Sequence, residues 1–135
     1  MSARYNDAYT PPFPAFSVIL RDNSERFGPF LALIDTGADV TFVPLRLLER
    51  VSATESGMAS IRSHFGEARL AQLYVVEFQI GGIGFPGIYV VGDRGDEIIL
   101  GRNVLNKLVL FLDGPAQQTD VLDDAAVKRL RARQT

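Results

Sequence analysis

The chain has 135 residues, room for one domain with a substantial core, and 47% of them are hydrophobic against 22% charged, the balance of a soluble globular chain. A net charge of −2 argues against a large electrostatic footprint for nucleic acid or an anionic membrane, so neither is expected as a partner. The absence of cysteine removes disulfides, thiolate nucleophiles and sulfur-ligated metal sites.

No apolar run approaches the ~20 residues of a membrane helix. Residues 1–7 carry no apolar signal segment, so the expected location is cytoplasmic. Pro11, Pro12 and Pro14 make residues 1–14 an extended N-terminal arm. Residues 15–20 then read as a strand, 21–26 as a polar turn and 27–34 as a second strand. After a tight loop at 35–39, residues 40–43 return to β-forming composition. Pro44 opens a short helix carrying Leu45, Leu47, Leu48 and Val51. A polar connector leads into a hairpin over 57–73, with the polar tip Arg62-Ser63-His64-Phe65-Gly66. Tyr74, Val76, Phe78 and Ile80 alternate with Val75, Glu77 and Gln79, the period of a half-buried strand.

Gly81-Gly82 turns that strand into another at 85–91. Residues 82–87 match the letters of a dinucleotide-binding glycine pattern. That pattern needs a following helix, and here strand formers follow a turn that contains Pro86, so a hairpin is expected. Asp93-Arg94-Gly95-Asp96 reads as a polar turn in preference to a cation site. Residues 97–100 are a buried strand, 101–108 a helix, and 109–112 a last strand stopped by Asp113-Gly114-Pro115. The main domain is thus placed at 15–114, with a C-terminal tail over 115–135. Acidic residues lead and basic residues close the stretch 123–133, but only Val127 and Leu130 are apolar. It is a surface helix or a frayed end.

The chemistry-bearing segment is Asp35-Thr36-Gly37-Ala38-Asp39, delivered by the apolar run Leu31-Ala32-Leu33-Ile34. An Asp before Thr-Gly is also an ordinary turn former. Here the apolar approach would leave the carboxylate partly desolvated, with a hydroxyl beside it and a glycine that lets the backbone bend. The second segment is Ile98-Ile99-Leu100-Gly101-Arg102-Asn103, a buried strand ending in glycine before a helix. His64 is the only histidine, with no Gly-x-Ser-x-Gly elbow to serve and no cluster to join; a histidine on the surface or at the tip of the 57–73 hairpin is the default.

Together the two segments resemble the retropepsin family of single-domain aspartic proteases, over most of residues 15–113. The resemblance implies an all-β, closed retropepsin-like lobe with one short helix after Leu100-Gly101-Arg102. It implies an aspartic endopeptidase acting on a peptide or protein substrate, with no metal and no cofactor. Asp35 would be the catalytic carboxylate. Thr36 would lock the two active-site loops across a dimer, Gly37 would bond substrate backbone, and Ala38 would complete the loop. Asp39 and Arg102 match an ion pair that braces the loop in the family, next to Gly101. The hairpin tip at Arg62, Ser63, His64, Phe65 and Gly66 would be the flap, here bulkier and more charged than in retroviral enzymes. The glycine-rich Ile80-Gly81-Gly82-Ile83-Gly84 resembles a retroviral flap tip by letters but lies too late in the chain. Phe42, Glu97 and Ile99 fall at positions that line substrate subsites in the family, and acid at Asp96 and Glu97 would favour basic or polar substrate side chains.

One chain offers one such aspartate, whereas the chemistry uses two carboxyls sharing a proton. A homodimer is therefore a requirement of this reading, with Asp35 near the two-fold axis. In the retroviral enzymes interleaved termini build the dimer seam; here both termini are extended. The rival expectation is a non-proteolytic dimeric module with the same fold, used for peptide binding or assembly.

Overall fold

A computed structural model describes residues 1–62 and 66–134. Strand β2 (Ala15–Asp22) buries Phe16, Val18 and Leu20 on alternate positions and folds back on β3 (Glu25–Ile34). The polar turn expected over 21–26 shrinks to Asn23-Ser24, because Arg21↔Arg26 and Asp22↔Glu25 extend the ladder. Strand β4 (Thr41–Pro44) runs directly into helix α1 (Leu45–Arg50), which buries Leu47 and Leu48.

Strands β5 (Thr54–Arg62) and β6 (Ala68–Ile80) form a long hairpin, and β6 passes unbroken through the point where the sequence reads as two strands. Its distal part pairs with β5 alone. Its proximal part is held between β7 (Ile83–Asp93) and β2. Gly81-Gly82 is the two-residue turn joining Ile80 to Ile83, so residues 82–87 are a hairpin, as the sequence predicts.

The two-residue strand β8 (Ile99–Leu100) slots between β3 and β4, parallel to the first and antiparallel to the second. The order β2-β3-β8-β4-β7-β6 returns to β2, which closes the sheet on itself. Phe16, Phe78, Leu20, Ile98 and Leu100 fill the interior. The fold is the all-β lobe expected, and the short helix after Leu100-Gly101 is α2 (Arg102–Leu105). It is one turn rather than a helix to 108, because Lys107 and Leu108 bond back three residues to Val104 and Leu105 and tighten the chain.

The termini add two strands that the sequence did not suggest, β1 (Ser2–Arg4) and β10 (Gln118–Val121), beside a last strand and a surface helix that it did. With β9 (Leu110–Asp113) they make a separate three-stranded sheet within the one chain. It is seated on the lobe through buried Thr119 and Val121. Helix α3 (Asp124–Ala132) follows, capped by the Asp123 carboxylate, which accepts from the Ala126 N–H at 2.8 Å; none of its residues is buried.

Candidate active site

The buried end of β3 carries Asp35 to the edge of the lobe. Leu33↔Ile99 and Ile34↔Leu100 pair in parallel, and the Asp35 N–H donates to the Leu100 carbonyl at 3.1 Å. This pairing brings the two sequence segments side by side. Asp35 is half-buried, and its Oδ1 accepts from the Gly37 N–H at 2.9 Å while its carbonyl accepts from the Ala38 N–H at 3.2 Å. The carboxylate is thereby held by its own loop through one of its two oxygens.

The loop is fixed from below by Arg102. Its N–H donates to the Ala38 carbonyl at 2.8 Å, its Nη1 to the Thr36 carbonyl at 2.7 Å, and its Nη2 to the Asp39 carboxylate. One planar guanidinium therefore spans both ends of the 36–39 turn. Gly101 is glycine for lack of space: a Cβ there would lie 2.4 Å from the Val40 carbonyl oxygen and 3.0 Å from that of Ala38.

A polar relay beneath the loop goes beyond the residues singled out in the sequence. Fully buried Thr41 accepts from the Gly101 N–H at 3.0 Å and donates through Oγ1 to Asn103 Oδ1 at 2.9 Å. Asn103 Nδ2 donates to the Tyr89 carbonyl at 2.8 Å. The one signal that could have found it is a hydroxyl-bearing β-branched residue inside the otherwise apolar run Val40-Thr41-Phe42-Val43.

Asp35, Gly37 and Ala38 line a cleft of about 740 Å³, and Phe42 forms part of its side. Its opposite wall is the far end of the β5–β6 hairpin, through Ile61, Arg62, Ala68 and Arg69. A smaller hollow of about 370 Å³ adjoins it at Val40 and Ile61 and is walled by Leu73, Tyr89 and Val91.

The sequence profile of the family described as "gag-polyprotein putative aspartyl protease" matches residues 26–107. The chain belongs to that family. Among solved structures, a retropepsin-like aspartic protease from Rickettsia conorii is 12% identical with a TM-score of 0.62, the match covering 90% of this chain and 88% of that one. The EIAV protease, solved with the inhibitor HBY-793, is 21% identical with a TM-score of 0.54, over 70% of this chain and 86% of that one. The foamy viral protease-reverse transcriptase is 19% identical with a TM-score of 0.52 over 71% of this chain, which spans only 12% of that longer one. These likenesses show the retropepsin-like fold. A search of curated proteins finds no match.

Within this aspartic protease fold the remaining sequence candidates separate. Thr36 is exposed and lies outside the cleft lining. Arg62 and Gly66 bracket the hairpin end; Ser63, His64 and Phe65 lie outside the described residues. Ile99 is a half-buried sheet residue between Leu33 and Phe42. Neither Glu97 nor Asp96 lines the cleft. The Glu97 carboxylate accepts from Asn6 Nδ2 at 3.1 Å and from the Tyr9 hydroxyl, tying the N-terminal arm to the lobe. That hydrogen bond, with some desolvation and the negative charge of Glu97, holds the Tyr9 phenol above its ordinary value. Asp96 is bound by Arg46, through Oδ1 at 2.9 Å and its carbonyl at 3.1 Å. The acid expected to favour basic substrates is therefore engaged elsewhere.

Proposed function

We propose that this chain is an aspartic endopeptidase, active as a homodimer in which two copies of Asp35 share one proton. The observation that carries this reading is the Asp35 carboxylate, held by the Gly37 N–H on the floor of a peptide-sized cleft roofed by a hairpin. Like charges a few Å apart do not both ionise. One carboxylate then takes a proton from water while the other, protonated, polarises the scissile carbonyl. Water attacks directly, so no covalent intermediate forms, and mildly acidic pH is favoured because one carboxyl of the pair must stay protonated.

An extended peptide would lie between floor and roof as an added strand, held by main-chain hydrogen bonds. The β5–β6 hairpin would act as the flap, closing to exclude bulk water. The hollow walled by Leu73, Tyr89 and Val91 suits an apolar side chain. The Thr36 hydroxyl makes no hydrogen bond among the described residues, which leaves it available to a second loop. Phe111 and Leu112, 51% and 47% exposed on edge strand β9, offer apolar surface to a second copy.

One feature favours the rival reading of a non-proteolytic dimeric module. Strands β1 and β10 pair within one chain, so the terminal segments that interleave in retroviral enzymes are already used.

The test is cleavage of a diverse peptide pool by wild type and Asp35→Asn over about pH 4 to 7, at a concentration where sedimentation shows the dimer. The expected result is wild-type cleavage that falls by at least about 10³-fold in Asp35→Asn. No cleavage from a demonstrated dimer contradicts the proposal and supports the module.

A further inference from the structure

Resting on that reading of the cleft, we infer that its roof selects acidic side chains in the bound peptide, with Arg69 as the reader. Ile61 and Arg69 are directly paired across β5 and β6, and so are Ala59 and Ala71. Side chains paired this way share one face of the ladder. Ala71 is buried and Ala59 and Ile61 half-buried, so this is the inward face. Met58 and Leu70, which belong to the other face together with Arg62, are 56% and 71% exposed. Arg69 thus stands on the side of the hairpin that faces the Asp35 loop.

The charges around the cleft leave this cation open. Asp39 is taken by Arg102, and Asp35 is assigned to the chemistry. Among the described residues, ion pairs join Arg21 to Glu77, Arg46 to Asp96 and Arg102 to Asp39, and none engages Arg62 or Arg69. Glu67 on the rim is the one other anion lining the cleft. A guanidinium facing a cleft that a peptide partly desolvates binds a carboxylate better than it binds an amide of the same shape. The selected substrate is therefore a peptide with Glu or Asp near the cleaved bond, opposite in sign to what Asp96 and Glu97 suggest from sequence.

The experiment measures binding of fluorescent peptide pairs, identical except for Glu or Gln at one position scanned along the peptide. The full-length Asp35→Asn chain is used so that nothing is turned over. The expected result is about tenfold tighter binding of the Glu member at one or more positions, weakened by added salt. That ratio should fall towards one in Arg69→Gln, hold in Arg62→Gln on the outer face, and invert in favour of Lys peptides in Arg69→Glu. Retained binding of the Gln peptide shows that each variant is folded. Equal binding at every position, binding of neither peptide, or a Glu preference that survives Arg69→Gln overturns the inference. Parallel assays of the wild type separate the two proposals. Acid-selective binding without cleavage sinks the protease reading alone, and Asp35-dependent cleavage indifferent to Glu or Gln sinks this one alone.

Discussion

On the Asp35 side of the cleft each turn of chain is tied to the lobe beneath it, whereas on the hairpin side β5 is an edge strand paired only to β6. The floor is fixed by Arg102 across the 36–39 turn, by Gly101 packed against the Val40 carbonyl, and by the buried Thr41–Asn103 relay. In β5 only Ala59 and Ile61 are even partly buried. A site that must present a carboxylate in one place needs the first kind of wall, and a site that must admit an extended chain needs the second. Stability and geometry should therefore be concentrated on the floor.

The largest effect is expected at Gly101→Ala. The new Cβ meets backbone on two sides, so the floor has to shift, at a cost of about 3 kcal/mol in a urea or thermal melt. A melt within error of wild type would break the comparison. Thr41→Val keeps the shape but strips partners from the Gly101 N–H and from Asn103, and should cost about 2 kcal/mol.

Arg102→Lys sharpens the contrast between stability and function. The guanidinium pair is partly exposed, so the melt should change by less than about 1 kcal/mol. A lysine cannot bridge the Thr36 carbonyl and Asp39 together, and kcat/KM for peptide cleavage should fall about 10–100-fold through misplacement of Asp35. On the roof, Met58→Ser with Leu70→Ser should move the melt by no more than about 0.5 kcal/mol, since both side chains lie on the solvent face. A loss comparable with that of Thr41→Val would show that the hairpin is packed as firmly as the floor.

Legibility in the sequence follows the same division. The strands of the lobe announce themselves because alternate residues such as Phe16, Val18 and Leu20 are buried, and the two active-site segments because an apolar run stops abruptly at Asp35 and at Gly101. Strand β10 is Gln-Thr-Asp-Val, and only its pairing with β9 and β1 sets it where Thr119 and Val121 are buried against the lobe. No local pattern reveals that. Glu97 looks like a free subsite acid until the arm, some ninety positions earlier in the chain, brings Asn6 and Tyr9 to it. Thr41 reads as one more β-former until Gly101 and Asn103 are seen to need its hydroxyl. What the sequence hides in each case is a partner distant along the chain.

The central claim is that two chains each supply an Asp35. It is tested most directly by holding wild-type protein at a fixed concentration above its dimerisation midpoint and adding Asp35→Asn chain. If the carboxyls are shared, mixed dimers are idle, and an about tenfold excess of the variant brings cleavage down to roughly one-tenth. A rate that stays constant as the variant is added, with mixed dimers shown to form, would mean that one chain suffices and would contradict the shared-carboxyl account.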